Sequence, residues 1–178
     1  MKLRILAVWF SMLIVSCFAQ GNSERDVSPR AVERLQKEVR HELLMLPYLG
    51  VFDNLVYKVD GYDVTLLGQV TRPVLKSDAA NTIKRIEGIE HVNNKIEVLP
   101  VSSFDDRLRL RLFRSIYGYA PLQKYALGVN KPIRIIVKGG HVNLEGIVDS
   151  QTDKNLAGIR ANSVSDVFSV TNNLQVAN

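Results

Sequence analysis

One pattern of apolar residues and glycines occurs twice in this sequence. Residues 59–70 reappear as residues 137–148, so that Val64 is matched by Val142, 78 residues later. The pairs that share this spacing are Val64 with Val142, Gly68 with Gly146, Val70 with Val148 and Val98 with Val176. A repeat that keeps one spacing over such a stretch predicts two tandem copies of one small structural unit.

The apolar periods within each copy predict a helix, two strands, a second helix and a third strand. In the first copy, Ser28 and Pro29 are typical of a helix start, and Pro47 ends that helix. The other elements predicted there are strands at 55–59 and 64–70, a helix at 77–86 and a strand at 92–99. In the second copy, Gly139 and Gly140 between two β-prone runs indicate a tight hairpin. The sequence therefore predicts an α+β fold of two tandem αββαβ units, each a three-stranded mixed sheet with two helices packed on one face.

The predicted domains are a first unit at residues 28–100 and a second unit at residues 103–178. The second copy carries four or five extra residues between Tyr117 and Asn130, and Ser103 or Asp105 caps its first helix. Each unit has about 75 residues, a size at which a single core is only marginally sufficient. We therefore expect the two units to pack on each other.

Residues 1–19 have the pattern of a signal peptide and are set apart from the fold. Lys2 and Arg4 precede an apolar run at residues 5–18, which is too short to span a bilayer. Small residues at 17 and 19 fit cleavage before Gln20. Alternatively, residues 14–17 resemble a lipoprotein box, in which Cys17 is lipidated and becomes the new N-terminus. Both interpretations predict export to the periplasm or cell envelope.

The cysteine count and the charge distribution exclude several classes of protein. Cys17 is the only cysteine, so the mature chain is expected to contain neither a disulfide nor a thiolate metal site. Of the net charge of +5, most lies in the second copy: residues 20–100 contain 11 basic and 12 acidic residues, and residues 101–178 contain 10 and 6. This excess is too small for a nucleic-acid-binding surface, and export argues against one as well.

The sequence contains no constellation of residues typical of an enzyme. The histidines fall in three different elements, at His41, His91 and His141, and the stretch after His41 lacks the second histidine of a zinc-binding helix. The carboxylate pairs Asp60 with Asp63 and Asp105 with Asp106 are interpreted as turn and cap residues. We therefore expect no catalytic residue, no metal site and no cofactor.

The repeated pattern resembles a known family of small modules from bacterial envelope proteins, the BON domain. A turn glycine is followed by Val-x-Leu-x-Gly-x-Val, a short helix and a closing Val-x-x-Val-x-Asn-x-Leu-x-Val. The second copy matches at Gly140, Val142, Leu144, Gly146, Val148, Ala157, Val167, Val170, Asn172, Leu174 and Val176. The first copy matches at Val64, Leu66, Gly68, Val70, Gly88, Ile89, Val92, Asn94, Ile96 and Val98. Two departures are expected: a turn one residue longer at 61–63, and Asp166 in place of the glycine kept as Gly88.

The resemblance implies a non-catalytic binding module associated with phospholipid membranes, envelope integrity and osmotic stress. On the helix that opens the second copy, Arg107, Arg111 and Arg114 fall within about 60° of one another. Such a stripe attracts an anionic membrane surface, and it is also the pattern of an ordinary solvated helix face. The tyrosines of the following loop are expected either at a membrane interface or closing the core; they are Tyr117, Tyr119 and Tyr125.

The leading hypothesis is thus an envelope module whose partner is an anionic phospholipid surface, contacted through Arg107, Arg111 and Arg114 with help from Tyr117 and Tyr119. The alternative is a periplasmic protein–protein interaction or holdase-like module without lipid affinity. Such a module would use exposed sheet edges, which can pair with an extended segment of another chain.

Overall fold

The computed structural model describes residues 28–128 and 130–177. The first unit consists of α1 (Pro29–Leu44), β1 (Asn54–Asp60), β2 (Asp63–Val70), α2 (Pro73–Ile83), β3 (His91–Asn94) and β4 (Glu97–Val98). The second unit consists of α3 (Ser103–Tyr117), a 3-10 helix (Ala120–Ala126), β5 (Ile133–Lys138), β6 (His141–Val148), α4 (Gln151–Asn162), β7 (Ser169–Asn172) and β8 (Gln175–Val176). The predicted α+β fold of two tandem units is confirmed. The predicted signal peptide and Cys17 lie outside the described residues.

Both sheets are mixed and have the same topology. β2 pairs with β1 in antiparallel fashion and with β3 and β4 in parallel fashion, and β6 has the same relations to β5, β7 and β8. The parallel connections run through α2 and α4, which pack on the sheets. Among the described residues, no helix combines the length and apolarity required to cross a membrane.

The third strand of each unit, predicted to be continuous, is interrupted after an asparagine that both copies of the repeat contain. The Asn94 side chain accepts a hydrogen bond from the Ile96 amide at 3.2 Å and donates one to the Lys76 carbonyl at 2.7 Å. Asn172 does the same in the second unit, at 3.3 Å and 2.7 Å. Each asparagine thereby ties the end of the sheet to the preceding helix, which is a structural role.

The turns and helix starts differ from the sequence prediction in two places. The first hairpin turn is not longer than the second, because Asp60 pairs with Asp63 just as Lys138 pairs with His141, and each turn has two residues. Gly61 has positive φ in the first turn, whereas both glycines do in the second. The helix predicted to begin at Ser77 begins at Pro73, because proline at the first helical position loses no backbone hydrogen bond.

Each unit has its own apolar core between its sheet and its helices. The repeat valines and leucines are buried there, among them Val70, Val142, Leu144 and Val148. Gly68 and Gly146 have φ of +106° and +122°, and a Cβ atom at either position would overlap a backbone carbonyl of the adjacent strand end. Only glycine fits these two positions, which explains why the repeat keeps it.

The two units pack on each other through the segment that precedes β1. The Val51 carbonyl accepts a hydrogen bond from the Ile135 amide at 2.9 Å, and the Arg134 guanidinium donates to the Gly50 carbonyl at 2.8 Å. Phe52 lies against Phe113 in an edge-to-face arrangement at 6.4 Å between ring centroids. Val51 and Phe52 therefore belong in part to the core of the second unit.

Candidate functional site: a basic groove on the second unit

The predicted arginine stripe forms one side of a groove of about 360 Å³ along α3. We call this site the basic groove; its lining residues are Phe104, Arg107, Leu110, Arg111, Arg114 and Asp166. The three arginines come together because positions four and three residues apart lie on one helix face. Arg107 and Arg114 are exposed, and Arg111 is half-buried. Among the described residues, neither Arg107 nor Arg114 has a carboxylate partner.

Asp166 places one carboxylate in this otherwise cationic site. Its side chain forms an ion pair with Arg111 at 2.8 Å. Its backbone has φ of +69°, and the equivalent position of the first unit is Gly88, with φ of +93°. Aspartate is one of the few residues that adopt this left-handed conformation, so the backbone turn is retained while a counter-ion for Arg111 is gained.

An exposed aromatic residue that the sequence analysis did not single out lies beside the groove. Phe168 is 68% exposed, and its ring stacks on Phe104 at 6.1 Å between centroids. A Cβ atom on Gly140 would overlap the Phe168 ring, so the glycine lets this ring lie over the hairpin turn. A comparison of the two copies could have identified this residue: the equivalent position of the first copy, 78 residues earlier, is the charged Glu90, so an aromatic residue at 168 is not required by the repeat.

The tyrosines predicted beside the arginines are mostly part of the core. Tyr117 is only 4% exposed, and its hydroxyl donates to the Ile133 carbonyl at 2.6 Å and accepts from the Ile133 amide at 3.2 Å. Burial raises the pKa of this tyrosine. The prediction that Tyr117 is a lipid-binding residue is therefore wrong, because its side chain is buried and its hydroxyl hydrogen-bonds to the backbone at the edge of β5.

The other two tyrosines are also engaged within the second unit. Tyr119 is half-buried, and the Arg160 guanidinium lies over its ring at 5.1 Å from the centroid. Tyr125 is buried, and its hydroxyl donates to the Asp153 carboxylate at 2.8 Å. Tyr117 and Tyr125 thus follow the other expectation for these tyrosines, since both are part of the core of the second unit.

Arg109, on the same helix, has a different environment from the stripe. It is buried, and its guanidinium donates to the Asp106 carboxylate at 2.5 Å and to the Val137 carbonyl at 2.7 Å. Asp105 is buried too, and its carboxylate accepts hydrogen bonds from the Gly139 and Gly140 amides, each at 2.9 Å. Both residues therefore stabilise the packing of α3 on the β5–β6 hairpin.

The described residues offer no arrangement suited to a metal ion. Within residues 28–128 and 130–177, no three histidine, cysteine, aspartate or glutamate side chains are grouped closely enough to bind one. His141 makes a hydrogen bond with the Ser169 hydroxyl at 2.7 Å and lies edge-on to Phe168. What the basic groove can do chemically is bind an anion beside an apolar surface.

Comparisons with known proteins identify the family of this chain. The C-terminal domain of CdsD, "the structural protein of the Type III secretion system of Chlamydia trachomatis", is similar at 10% identity and a TM-score of 0.31, over 81% of this chain and 98% of that one. A second CdsD structure is similar at 11% identity and a TM-score of 0.29, over 82% and 94%. No protein with a curated description matches. The family model of the BON domain matches residues 31–100 and 124–178. These two segments make up more than half of the chain, which therefore belongs to the BON domain family.

Proposed function

We propose that this protein is a non-catalytic envelope module that binds anionic phospholipid surfaces through the basic groove of its second unit. BON domains are generally binding modules, and the groove supplies the two kinds of contact that a membrane surface offers. The observation that carries the proposal is the placement of Arg107 and Arg114, both free of carboxylate partners among the described residues, beside the exposed ring of Phe168.

The charges of the groove set the size of the expected effect. A basic residue close to an anionic surface contributes about 1 kcal/mol. Arg107 and Arg114 together therefore favour anionic over neutral vesicles by about 2 kcal/mol, or about 30-fold in affinity. This preference weakens with ionic strength, because salt screens charges that are exposed to solvent.

The apolar neighbours of the groove add a contribution that salt does not remove. Phe168 is 68% exposed and Leu110 is 51% exposed. An aromatic ring next to cationic side chains can enter the boundary between headgroups and acyl chains while the cations stay at the headgroups. Because Phe168 stacks on Phe104, its ring is held at the surface rather than folded into the core.

The first unit lacks an equivalent arginine stripe on its first helix, which supports the assignment to the second unit. On α1, Arg34 forms an ion pair with Glu38 at 3.0 Å, and Lys37 forms one with Glu33 at 2.7 Å. These pairs compensate the charges of Arg34 and Lys37 on the helix that corresponds to α3, where the exposed Arg107 and Arg114 have no such partner among the described residues. We therefore infer that the first unit does not bind lipid by this mechanism.

The test is co-sedimentation of residues 20–178 with vesicles of phosphatidylcholine, alone or mixed with phosphatidylglycerol. This segment contains all the residues of both cores. Binding to the anionic vesicles only, reduced at high salt, is expected. The double variant Arg107→Glu and Arg114→Glu should lose that binding, whereas the control variant Arg30→Glu and Arg85→Glu, with the same change in net charge on exposed residues of the first unit, should keep it. Equal binding by both double variants would contradict the proposal.

The proposed location is the bacterial envelope. The second copy holds the basic excess of the sequence, and the pattern of residues 1–19 is that of an export signal. If Cys17 is lipidated, the anchor already holds the protein at a membrane, and the groove then needs only weak affinity. Mass spectrometry of the N-terminus of protein recovered from cells distinguishes a lipidated Cys17 from cleavage before Gln20.

A further inference from the structure

The outer edge of β1 has hydrogen-bonding groups that the rest of the sheet does not use. β1 is an edge strand, paired with β2 alone. In a hairpin closed by a two-residue turn, the closing pair exchanges hydrogen bonds, and hydrogen-bonded and non-hydrogen-bonded pairs then alternate along the strands. With Asp60 and Asp63 as the closing pair, the amides and carbonyls of Leu55, Tyr57 and Val59 point away from β2.

Most of the equivalent groups on β5 have partners. Ile133, Ile135 and Val137 follow Leu55, Tyr57 and Val59 by 78 residues. The Tyr117 hydroxyl bonds to both the amide and the carbonyl of Ile133. The Val51 carbonyl accepts from the Ile135 amide, and the Arg109 guanidinium donates to the Val137 carbonyl. The edge of β5 is therefore largely closed, by side chains of α3 and by Val51 of the segment before β1.

The first unit does not close its edge. Within residues 28–128 and 130–177, no group hydrogen-bonds to the outward amides or carbonyls of Leu55, Tyr57 or Val59. The sequence explains the difference. The buried residues Val39 and Leu43 of α1 correspond in spacing to Leu112 and Ile116 of α3. Leu44 therefore stands where the second unit has Tyr117, and a leucine side chain cannot hydrogen-bond to a strand edge.

A groove of about 310 Å³ runs beside this open edge. Its lining is mainly aliphatic and aromatic, with two cations and no carboxylate: Arg40, Leu43, Leu44, Leu49, Asn54, Leu55, Tyr57, Arg134 and Ile147. Leu44 and Ile147 remain exposed in it. Arg134 is half-buried, and burial lowers the pKa of its guanidinium. The groove thus combines apolar surface with two cations, and no carboxylate is among its lining residues.

We propose that the outer edge of β1 binds an extended segment of a partner polypeptide by strand addition. The segment has aliphatic residues at alternate positions and a carboxylate that pairs with Arg40 or Arg134. A peptide backbone offers donors and acceptors at the spacing that the open edge requires, and alternate side chains reach the groove. A second copy of this protein is a poorer match, because pairing through its own β1 would bring a second Arg40 to a cationic groove.

The test uses two synthetic peptides with residues 20–178 of the protein. One is Glu-Val-Thr-Val-Thr-Val-Glu and the other has lysine in place of both glutamates. We expect the acidic peptide to bind more tightly in fluorescence anisotropy, by about tenfold. In hydrogen–deuterium exchange followed by NMR, it should slow the exchange of the amides of Leu55, Tyr57 and Val59. The proposal would be overturned if the exchange of these amides were not slowed or if the two peptides bound equally. It would also be overturned if their exchange slowed with rising protein concentration in the absence of peptide, because a second copy of the protein would then cover the edge.

Two variants test the location of the site. Arg40→Glu should weaken the binding of the acidic peptide about tenfold, and the control Arg85→Glu, on an exposed surface after α2, should not. Val59→Pro removes an outward amide without removing a bond to β2, so it should also weaken binding of either peptide. Arg40→Glu should leave the binding of anionic vesicles unchanged, which separates this surface from the basic groove. Full peptide affinity in Arg40→Glu would contradict the assignment.

Discussion

Asp166 is the residue whose replacement tests the basic groove most directly. It is the only carboxylate among the lining residues, and it is paired with Arg111 at 2.8 Å. Replacing it with asparagine removes the charge and keeps a residue that tolerates positive φ. Replacing it with glycine removes the charge and also relieves the left-handed backbone conformation, as Gly88 does at the equivalent position of the first unit.

The expected magnitudes follow from the exposure of the pair. The side chains of Arg111 and Asp166 are 38% and 55% exposed, and an ion pair in such surroundings contributes about 0–1 kcal/mol to folding. Relief of the left-handed backbone by glycine returns about 1 kcal/mol. Asp166→Gly should therefore leave the free energy of unfolding within about 1 kcal/mol of the original. Releasing Arg111 adds a third free cation, which should tighten binding to anionic vesicles by about 1 kcal/mol, or about fivefold.

Vesicle titration at low and high salt, together with urea denaturation, measures both effects. Asp166→Asn and Asp166→Gly should gain affinity equally, and the gain should disappear at high salt. Asp63→Asn, which removes a carboxylate from the hairpin of the first unit, provides the matched control, and its affinity should stay unchanged. If both variants at position 166 bind anionic vesicles no better than the original protein, Arg111 does not face the membrane and the reasoning about the groove fails.

Two further predictions concern stability. Gly146→Ala should lower the free energy of unfolding by about 3 kcal/mol or more, because its Cβ atom would overlap the backbone of the segment before β5. Gly139→Ala, at φ of +59° in open space, should lower it by only about 1 kcal/mol. Urea denaturation measures both values, and equal losses would refute the steric argument. The Lys124 ammonium lowers the pKa of Asp149, and for Asp153 its hydrogen bond helps to outweigh the opposing effect of burial, so the pKa of Asp153 is lowered too. Both carboxylates therefore stabilise the fold at neutral pH and lose that contribution as the pH falls below about 4. Lys124→Ala should flatten this acid dependence; an unchanged profile would count against the ion pairs.

The order of the elements could be predicted because one spacing governs both cores. β2 and β6 begin 78 residues apart, as do β3 and β7, so the alternation of apolar residues reads the same in both units. The break after β3 could not be predicted, because the apolar alternation continues through Ile96 while the Asn94 side chain replaces a backbone bond. Side-chain hydrogen bonds of this kind do not alter the apolar periodicity of the sequence, so a prediction based on that periodicity misses them.

The candidate site was predictable only where one helix determines it. Arg107, Arg111 and Arg114 meet because of helix geometry alone. Phe168 comes from a loop, and its place at the groove depends on the absence of a side chain at Gly140, far away in the sequence. Tyr117 points inward because β5 needs a cap for Ile133, a requirement that arises only when the sheet has formed.

The segment before β1 has a consequence for how this protein unfolds. Val51 and Phe52 precede the sheet of the first unit, yet they complete the core and the strand edge of the second. The two copies of the repeat are therefore separate in the sequence, but the stability of the second depends on contacts with the first. Residues 103–178 on their own would keep a full set of helices and strands but would expose the Ile135 amide and the face of Phe113, whereas the linked units should melt together in one cooperative transition.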